Sequence, residues 1–251
     1  MSGTLSGANS TPPFFRGSAL RCDPRLLSCN PGCKSPNHAS VFLDLAVFVV
    51  RAGALQYLAM LNTLIELQRL KRLERTGWTL RGLPNGTESV ASHSFGVCVT
   101  AMLLADEVKA RGQKIDCERV LRMALLHDWS EARVGDMPRT ATNYFGTDAR
   151  KKAESLAFAD MLSGAGSEEA QYKELFDDYE ERRSLEARLV KAADVIDLLV
   201  QAYALERAGA RGLDEFWEVI DVADFQLPPV AAEVVNEVLQ SLRVARRELG
   251  S

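Results

Sequence analysis

From residue 41 onward the chain repeats its apolar residues at helical spacing and nowhere alternates them with period two for long enough to build a strand. Leu58, Leu61, Leu64, Ile65, Leu67 and Leu70 form a broad apolar stripe that ends at Arg72 and Arg75. Thr87 followed by Glu88 opens a second helix. Asp116 opens a third, which runs through Leu121, Met123 and Leu125 into the tripeptide Leu126-His127-Asp128. Gly135, Pro138 and the stretch 140–147 predict a loop. Helices are expected over about 148–163, 168–182, 184–208 and 213–223, with a last one after Pro228-Pro229, since proline suits the first helical turn. With 47% apolar and 25% charged residues the chain can bury a substantial core. The pattern predicts a single all-α domain of six or more helices over residues 41–251.

Residues 1–40 read differently. They hold seven Ser, five of the nine Pro and four of the 17 Gly, a composition that predicts a disordered extension. They also carry four basic residues and one acidic, which leaves 26 basic against 33 acidic in the rest. An acidic body argues against a nucleic-acid partner, but not against a phosphate-bearing small molecule if a metal supplies positive charge locally. No charged start followed by an early apolar run marks a secretory signal. The apolar stretch 41–61 carries Asp44, Arg51 and Gln56, so it reads as a buried or partner-facing helix, with no membrane partner expected. Three of the five cysteines, Cys22, Cys29 and Cys33, lie near His38 without the spacing of a tight zinc site. Cys98 and Cys117 fall in helical patterns as small apolar residues. The odd count predicts a reducing, cytoplasmic setting.

Polar residues inside apolar helical runs carry the chemistry. Of three histidines, the body owns His93 and His127. His127 adjoins Asp128 after Met123-Ala124-Leu125-Leu126, and neighbours on a helix point about 100° apart, so the pair cannot both be surface decoration. Burying an imidazole and a carboxylate without partners is costly. Asp194 repeats the pattern within Val190-Lys191-Ala192-Ala193-Asp194-Val195. Two imidazoles and two carboxylates suit a divalent metal, and they equally suit a buried ion-pair network; spacing leaves both open.

The order His93, His127-Asp128, Asp194 resembles the H…HD…D signature of the HD-domain metal-dependent phosphohydrolases. The flanking strings narrow the resemblance. Thr87-Glu88-Ser89-Val90-Ala91-Ser92-His93 is similar to the segment bearing the first histidine in bacterial HD-domain 5′-deoxynucleotidases and their eukaryotic HD-domain-containing relatives. The run from His127 to Pro138 resembles their H-D-x-x-E-x-x-x-G-D-x-P, and Val190 to Asp194 their V-K-x-x-D. Arg75-Thr76-Gly77-Trp78 resembles the R-T-G-W of the eukaryotic members, whereas in the bacterial ones arginine directly precedes tryptophan. The motif core spans about residues 60–225.

This resemblance implies an HD-type helical bundle in which His93, His127, Asp128 and Asp194 hold one divalent cation, its identity open among Mn, Co, Zn, Mg and Fe. It implies that Glu131 and Asp136 are the catalytic carboxylates handling the water proton and the leaving oxygen. It implies that Arg75 contacts phosphate and Trp78 stacks against the nucleoside. Glu131, three residues after Asp128, is expected on nearly the same helix face. Lys191, one turn before Asp194, is a further phosphate contact or a solvated lysine. The implied activity is hydrolysis of a (deoxy)nucleoside 5′-monophosphate to nucleoside and phosphate, by a homodimer paired through the helix at 41–67. Alternatives are another HD reaction, such as triphosphohydrolysis or cyclic-nucleotide phosphodiesterase activity, and a non-catalytic nucleotide-binding module.

Overall fold

The computed structural model describes residues 57–163 and 168–249. The extension at 1–40, its cysteines and His38, and the first part of the helix expected at 41–67 lie outside the described residues. Within them the chain is helical. A helix α1 (57–67) runs into a 3₁₀ turn, Gln68–Lys71, and the following segments are α2 (Thr76–Thr79), α3 (Val90–Ala110), α4 (Cys117–Leu126), α5 (Glu131–Val134), α6 (Arg139–Phe145), α7 (Thr147–Leu162), α8 (Glu169–Glu181), α9 (Leu185–Arg207), α10 (Asp214–Trp217), α11 (Val219–Val222) and α12 (Pro229–Leu249). Among the described residues no strand forms; a single antiparallel bridge joins Glu74 to Ser89.

Helix starts follow side-chain caps. Ser89 accepts from Ser92 N at 3.1 Å, Asp116 from Arg119 N at 3.0 Å and Ser184 from Ala187 N at 3.0 Å, each satisfying an amide the first turn leaves free. The cap at Ser89 starts α3 two residues later than the Thr87–Glu88 opening expected, and it sends Glu88 inward instead. Two further expectations change. The stretch 140–147 is not a loop but α6 and the start of α7, separated at Gly146, whose φ of +87° suits glycine. The helix expected at 213–223 is two short ones.

Helices α3 and α9 form the centre, with α4 and α12 packed against them. Val97, Ala101, Leu104 and Val108 recur at spacings of three and four on α3 and are buried. Facing them, α9 buries Ala187, Ala192, Ala193 and Ala202 among larger residues, and small side chains let the helices approach closely. Phe158 of α7 stacks on Phe176 of α8, with ring centroids 4.1 Å apart, and closes the other side of the core.

Candidate metal centre

Three elements bring the histidines and aspartates together. His93 lies in the first turn of α3, its amide bonded to Ser89 O. His127 is the C-cap of α4, Asp128 follows in the turn, and Asp194 sits midway along α9. Helix α4 therefore ends before Asp128, and Glu131 opens α5 rather than continuing one helix, as the spacing had suggested. The turn still brings Glu131 back, with its amide donating to Asp128 O at 3.1 Å.

The ring nitrogens are sorted by their partners. His127 Nδ1 lies 2.7 Å from Ala124 O, and a carbonyl only accepts, so Nδ1 carries the proton. His93 Nδ1 lies 2.9 Å from Asp197 Oδ2. Both Nε2 atoms are then turned inward, where each can offer a lone pair to a cation once it carries no proton. Asp128 Oδ2 stands 3.1 Å from His127 Nε2 and 3.7 Å from His93 Nε2; Asp194 Oδ1 stands 3.1 Å from His93 Nε2. His93, His127 and Asp128 offer donor atoms all within 4.8 Å of one another, and Asp194 joins through His93.

His93 Nε2, His127 Nε2, Asp128 Oδ2 and Glu131 Oε2 are buried atoms without a hydrogen-bond partner. The first three converge within 4.8 Å, and unpartnered polar atoms so placed are costly unless a cation sits among them. Two neutral imidazoles and two carboxylates make a donor set of the right type for a divalent first-row ion, and the residues fit the group. The remaining oxygen of Asp194 is occupied. Oδ2 accepts from Lys191 Nζ at 2.6 Å and from Tyr179 Oη at 3.2 Å, which leaves Oδ1 directed at His93.

The electrostatics follow from crowding. Burial works against ionised Asp128, but His127, His93 and Arg75 overcome it and hold the carboxyl well below its ordinary range. Asp194 is likewise held well below, burial being outweighed by Lys191 and the histidines. Burial and Arg75 pull His93 down, yet Asp194 and Asp197 outweigh them and raise it to about 9, so without a cation the ring keeps a second proton at neutral pH, which a bound cation would displace. Glu131 moves the other way. Burial, Asp128 and Asp136 push its carboxyl well above the usual range. Tyr179 is raised by burial and by Asp194, so it stays a phenol and a donor.

Arg75, Thr76 and Asp136 form a second group at the rim. Arg75 Nη1 donates to Asp136 Oδ1 at 2.9 Å and stands 3.8 Å from Asp128 Oδ2. Asp136 Oδ2 accepts from Thr76 N at 2.5 Å and Thr76 Oγ1 at 2.6 Å. Trp78 requires a correction. Its side chain is 1% exposed, the indole Nε1 donates to Glu88 Oε2 at 2.5 Å, and its ring lies 4.5 Å from that of Phe216. An enclosed ring has no open face for a nucleoside, so Trp78 is a core residue that ties α2 to Glu88.

Three contributors escaped the sequence reading: Glu88, Asp197 and Tyr179. Asp197 had a signal, because it lies one helical turn after Asp194 in the same apolar run. Glu88 and Tyr179 carried none.

With this geometry in view, residues 67–219 match the family model described as HD domain. The chain belongs to the HD-domain family. Among relatives of this HD domain, 5′-deoxynucleotidase HDDC2 of Mus musculus is 29% identical over 206 residues, covering 80% of this chain and 96% of the relative. The 5′-deoxynucleotidase hdd1 of Schizosaccharomyces pombe is 30% identical over 182 residues, covering 69% and 85%. A conserved hypothetical protein from Pyrococcus furiosus is 36% identical, with a TM-score of 0.64 over 73% of this chain and 99% of that chain.

Proposed function

We propose that this HD domain is a metal-dependent phosphomonoesterase that hydrolyses deoxynucleoside 5′-monophosphates to nucleoside and phosphate. The observation that carries the reading is the convergence of three unpartnered buried donor atoms, His93 Nε2, His127 Nε2 and Asp128 Oδ2, beside Arg75, in a chain similar along most of its length to proteins named 5′-deoxynucleotidase. His93, His127, Asp128 and Asp194 would hold one divalent ion, which supplies Lewis acidity and charge neutralisation to a phosphoryl oxygen when bound.

The chain's own groups supply the rest. Arg75 is held firmly cationic, since the carboxylates of Asp136, Asp128 and Glu131 outweigh the cost of its burial. A guanidinium at the rim presents the fork that fits a phosphate monoester. Glu131 is the carboxyl best suited to hold a proton near neutrality and to exchange it with water or the leaving oxygen. Asp136 has both oxygens engaged, so it contributes by fixing Arg75 and Thr76 at the rim. Lys191 neutralises Asp194 on the side away from His93 and orients it; the same ammonium, partly exposed, faces an incoming phosphate.

Two accompanying features belong to this reading. Leu58, Leu61, Ile65 and Phe95 are exposed apolar side chains on α1 and α3, and a second copy of the chain would cover them, giving a homodimer. No described helix is long and apolar enough to cross a membrane, which is compatible with action in the cytoplasm.

The test is phosphate release from a panel of deoxynucleoside and ribonucleoside 5′-monophosphates with Mn, Co, Mg and Zn supplied in turn. The reading expects inorganic phosphate from deoxynucleoside monophosphates only when metal is present. Release of pyrophosphate or triphosphate from other nucleotides, with none from monophosphates, would replace it with another HD reaction. Binding without turnover would replace it with a nucleotide-binding module. Light scattering at twice the chain mass is the expectation for the dimer, and a monomeric mass contradicts it.

A further inference from the structure

The two histidines of the centre are anchored differently. His127 Nδ1 bonds to a carbonyl of its own helix, Ala124 O. His93 Nδ1 instead reaches across to Asp197 on α9, 104 residues away in the chain, at 2.9 Å. Asp197 lies three residues after Asp194, so one face of α9 presents two carboxylates to a single imidazole, Asp194 to Nε2 and Asp197 to Nδ1. Glu88 stands close by as well. One oxygen of its carboxylate, one of Asp197 and a ring nitrogen of His93 lie within 4.8 Å of one another. Burial raises Glu88 above the usual carboxylate range, and Trp78 Nε1 holds it in place.

Asp197 has room because of a glycine. Gly96 is the only glycine in α3, three residues after His93. A β-carbon there would stand 2.7 Å from Asp197 Cγ and 2.9 Å from Oδ2, distances real side chains essentially never adopt. Its backbone is helical, so no unusual φ requires a glycine. Glycine inside a helix is less favourable than alanine by about 1 kcal/mol, which makes the position expensive unless the missing β-carbon serves a purpose.

We infer that Asp197 is a positioning residue for His93, and that Gly96 is glycine in order to admit it. The carboxylate fixes the proton on Nδ1, sets the ring orientation and makes Nε2 a stronger donor toward a divalent cation. The inference rests on the metal-centre reading above and assigns Asp197 no contact with substrate.

The test is Mn²⁺ binding by isothermal titration calorimetry to the full-length protein without nucleotide, together with the visible absorption spectrum of the Co²⁺ form. Asp197→Asn is expected to weaken Mn²⁺ binding by about 10–100-fold, the usual consequence of losing such a partner, and to alter the Co²⁺ spectrum. Gly96→Ala should weaken binding by as much as Asp197→Ala, while Gly96→Ala/Asp197→Ala should be no weaker than Asp197→Ala alone, because the clash disappears with the carboxylate. Circular dichroism on each variant confirms the helical fold, and Asp197→Asn, which keeps the shape of the side chain, decides the matter if Gly96→Ala does not fold. Wild-type affinity and an unchanged Co²⁺ spectrum in Asp197→Asn overturn the inference and leave the metal centre standing. A wild-type protein that takes up no metal overturns both.

Discussion

Arg75 and Asp136, 61 residues apart, meet at 2.9 Å, and the same aspartate takes two bonds from Thr76. The contact joins the short helix α2 to the turn after α5 and fixes the only guanidinium among the described residues that stands within 4 Å of Asp128. An arginine so placed cannot swing into solvent without abandoning a carboxylate whose other oxygen is also occupied.

Asp136→Asn is therefore expected to loosen the rim without touching the four side chains proposed to hold the metal. A hydrogen bond to a charged group contributes about 1.5–3 kcal/mol, which corresponds to a fall of about 10–150-fold in kcat/KM. Steady-state kinetics on a deoxynucleoside monophosphate should place part of that loss in KM, with metal content by atomic emission unchanged. An unaltered KM would separate Asp136 from the phosphate contact.

Glu131→Gln keeps the size of the side chain and removes its capacity to carry a proton. Loss of a general acid or base typically costs about 10²–10⁴-fold, so kcat should fall in that range while Mn²⁺ uptake persists. Retention of kcat would move the proton transfer to another group.

Glu154 supplies a pH prediction independent of the reaction. It is buried on α7, paired with Arg150 at 2.7 Å, and raised to about 7, by burial first and then by Glu180 against the pull of Arg150. A carboxyl whose folded value lies above its unfolded value binds more protons in the native state, so folding loses stability as pH rises from about 4.5 to about 7. Glu154→Gln imitates the protonated form. Its melting temperature should match the wild type near pH 4.5 and exceed it by about 2–4 °C at pH 8, the equivalent of about 1 kcal/mol for a chain of this size. Equal melting temperatures at pH 8 would show that Arg150 fully compensates the charge.

Much of this was visible along the chain because helices punish polar residues on buried faces. His127 beside Asp128, and Asp194 among alanines and valines, are conspicuous for that reason, and the helical periodicity around them already implied an all-α body. Trp78 went astray because an indole in a sequence shows its stacking capacity and hides what encloses it; only the Glu88 bond and the Phe216 ring reveal a core residue. Helix α6 was missed because none of its residues is buried, so no apolar stripe marked it. Glu88 looked like the start of a helix, and the Ser89 cap moved that start and turned the carboxylate inward. Asp197 was legible by its spacing from Asp194, but the glycine that makes room for it matters only once α3 and α9 are packed together.

The proposed metal centre gathers four side chains from three segments around one catalytic cation. Its most direct test is metal stoichiometry by equilibrium dialysis against Mn²⁺, with phosphate release measured on the same samples, for the wild type and His127→Ala. One ion per chain and metal-dependent phosphate release in the wild type, with both lost in His127→Ala, is the predicted result. A His127→Ala protein that keeps one ion and full metal-dependent turnover contradicts the account.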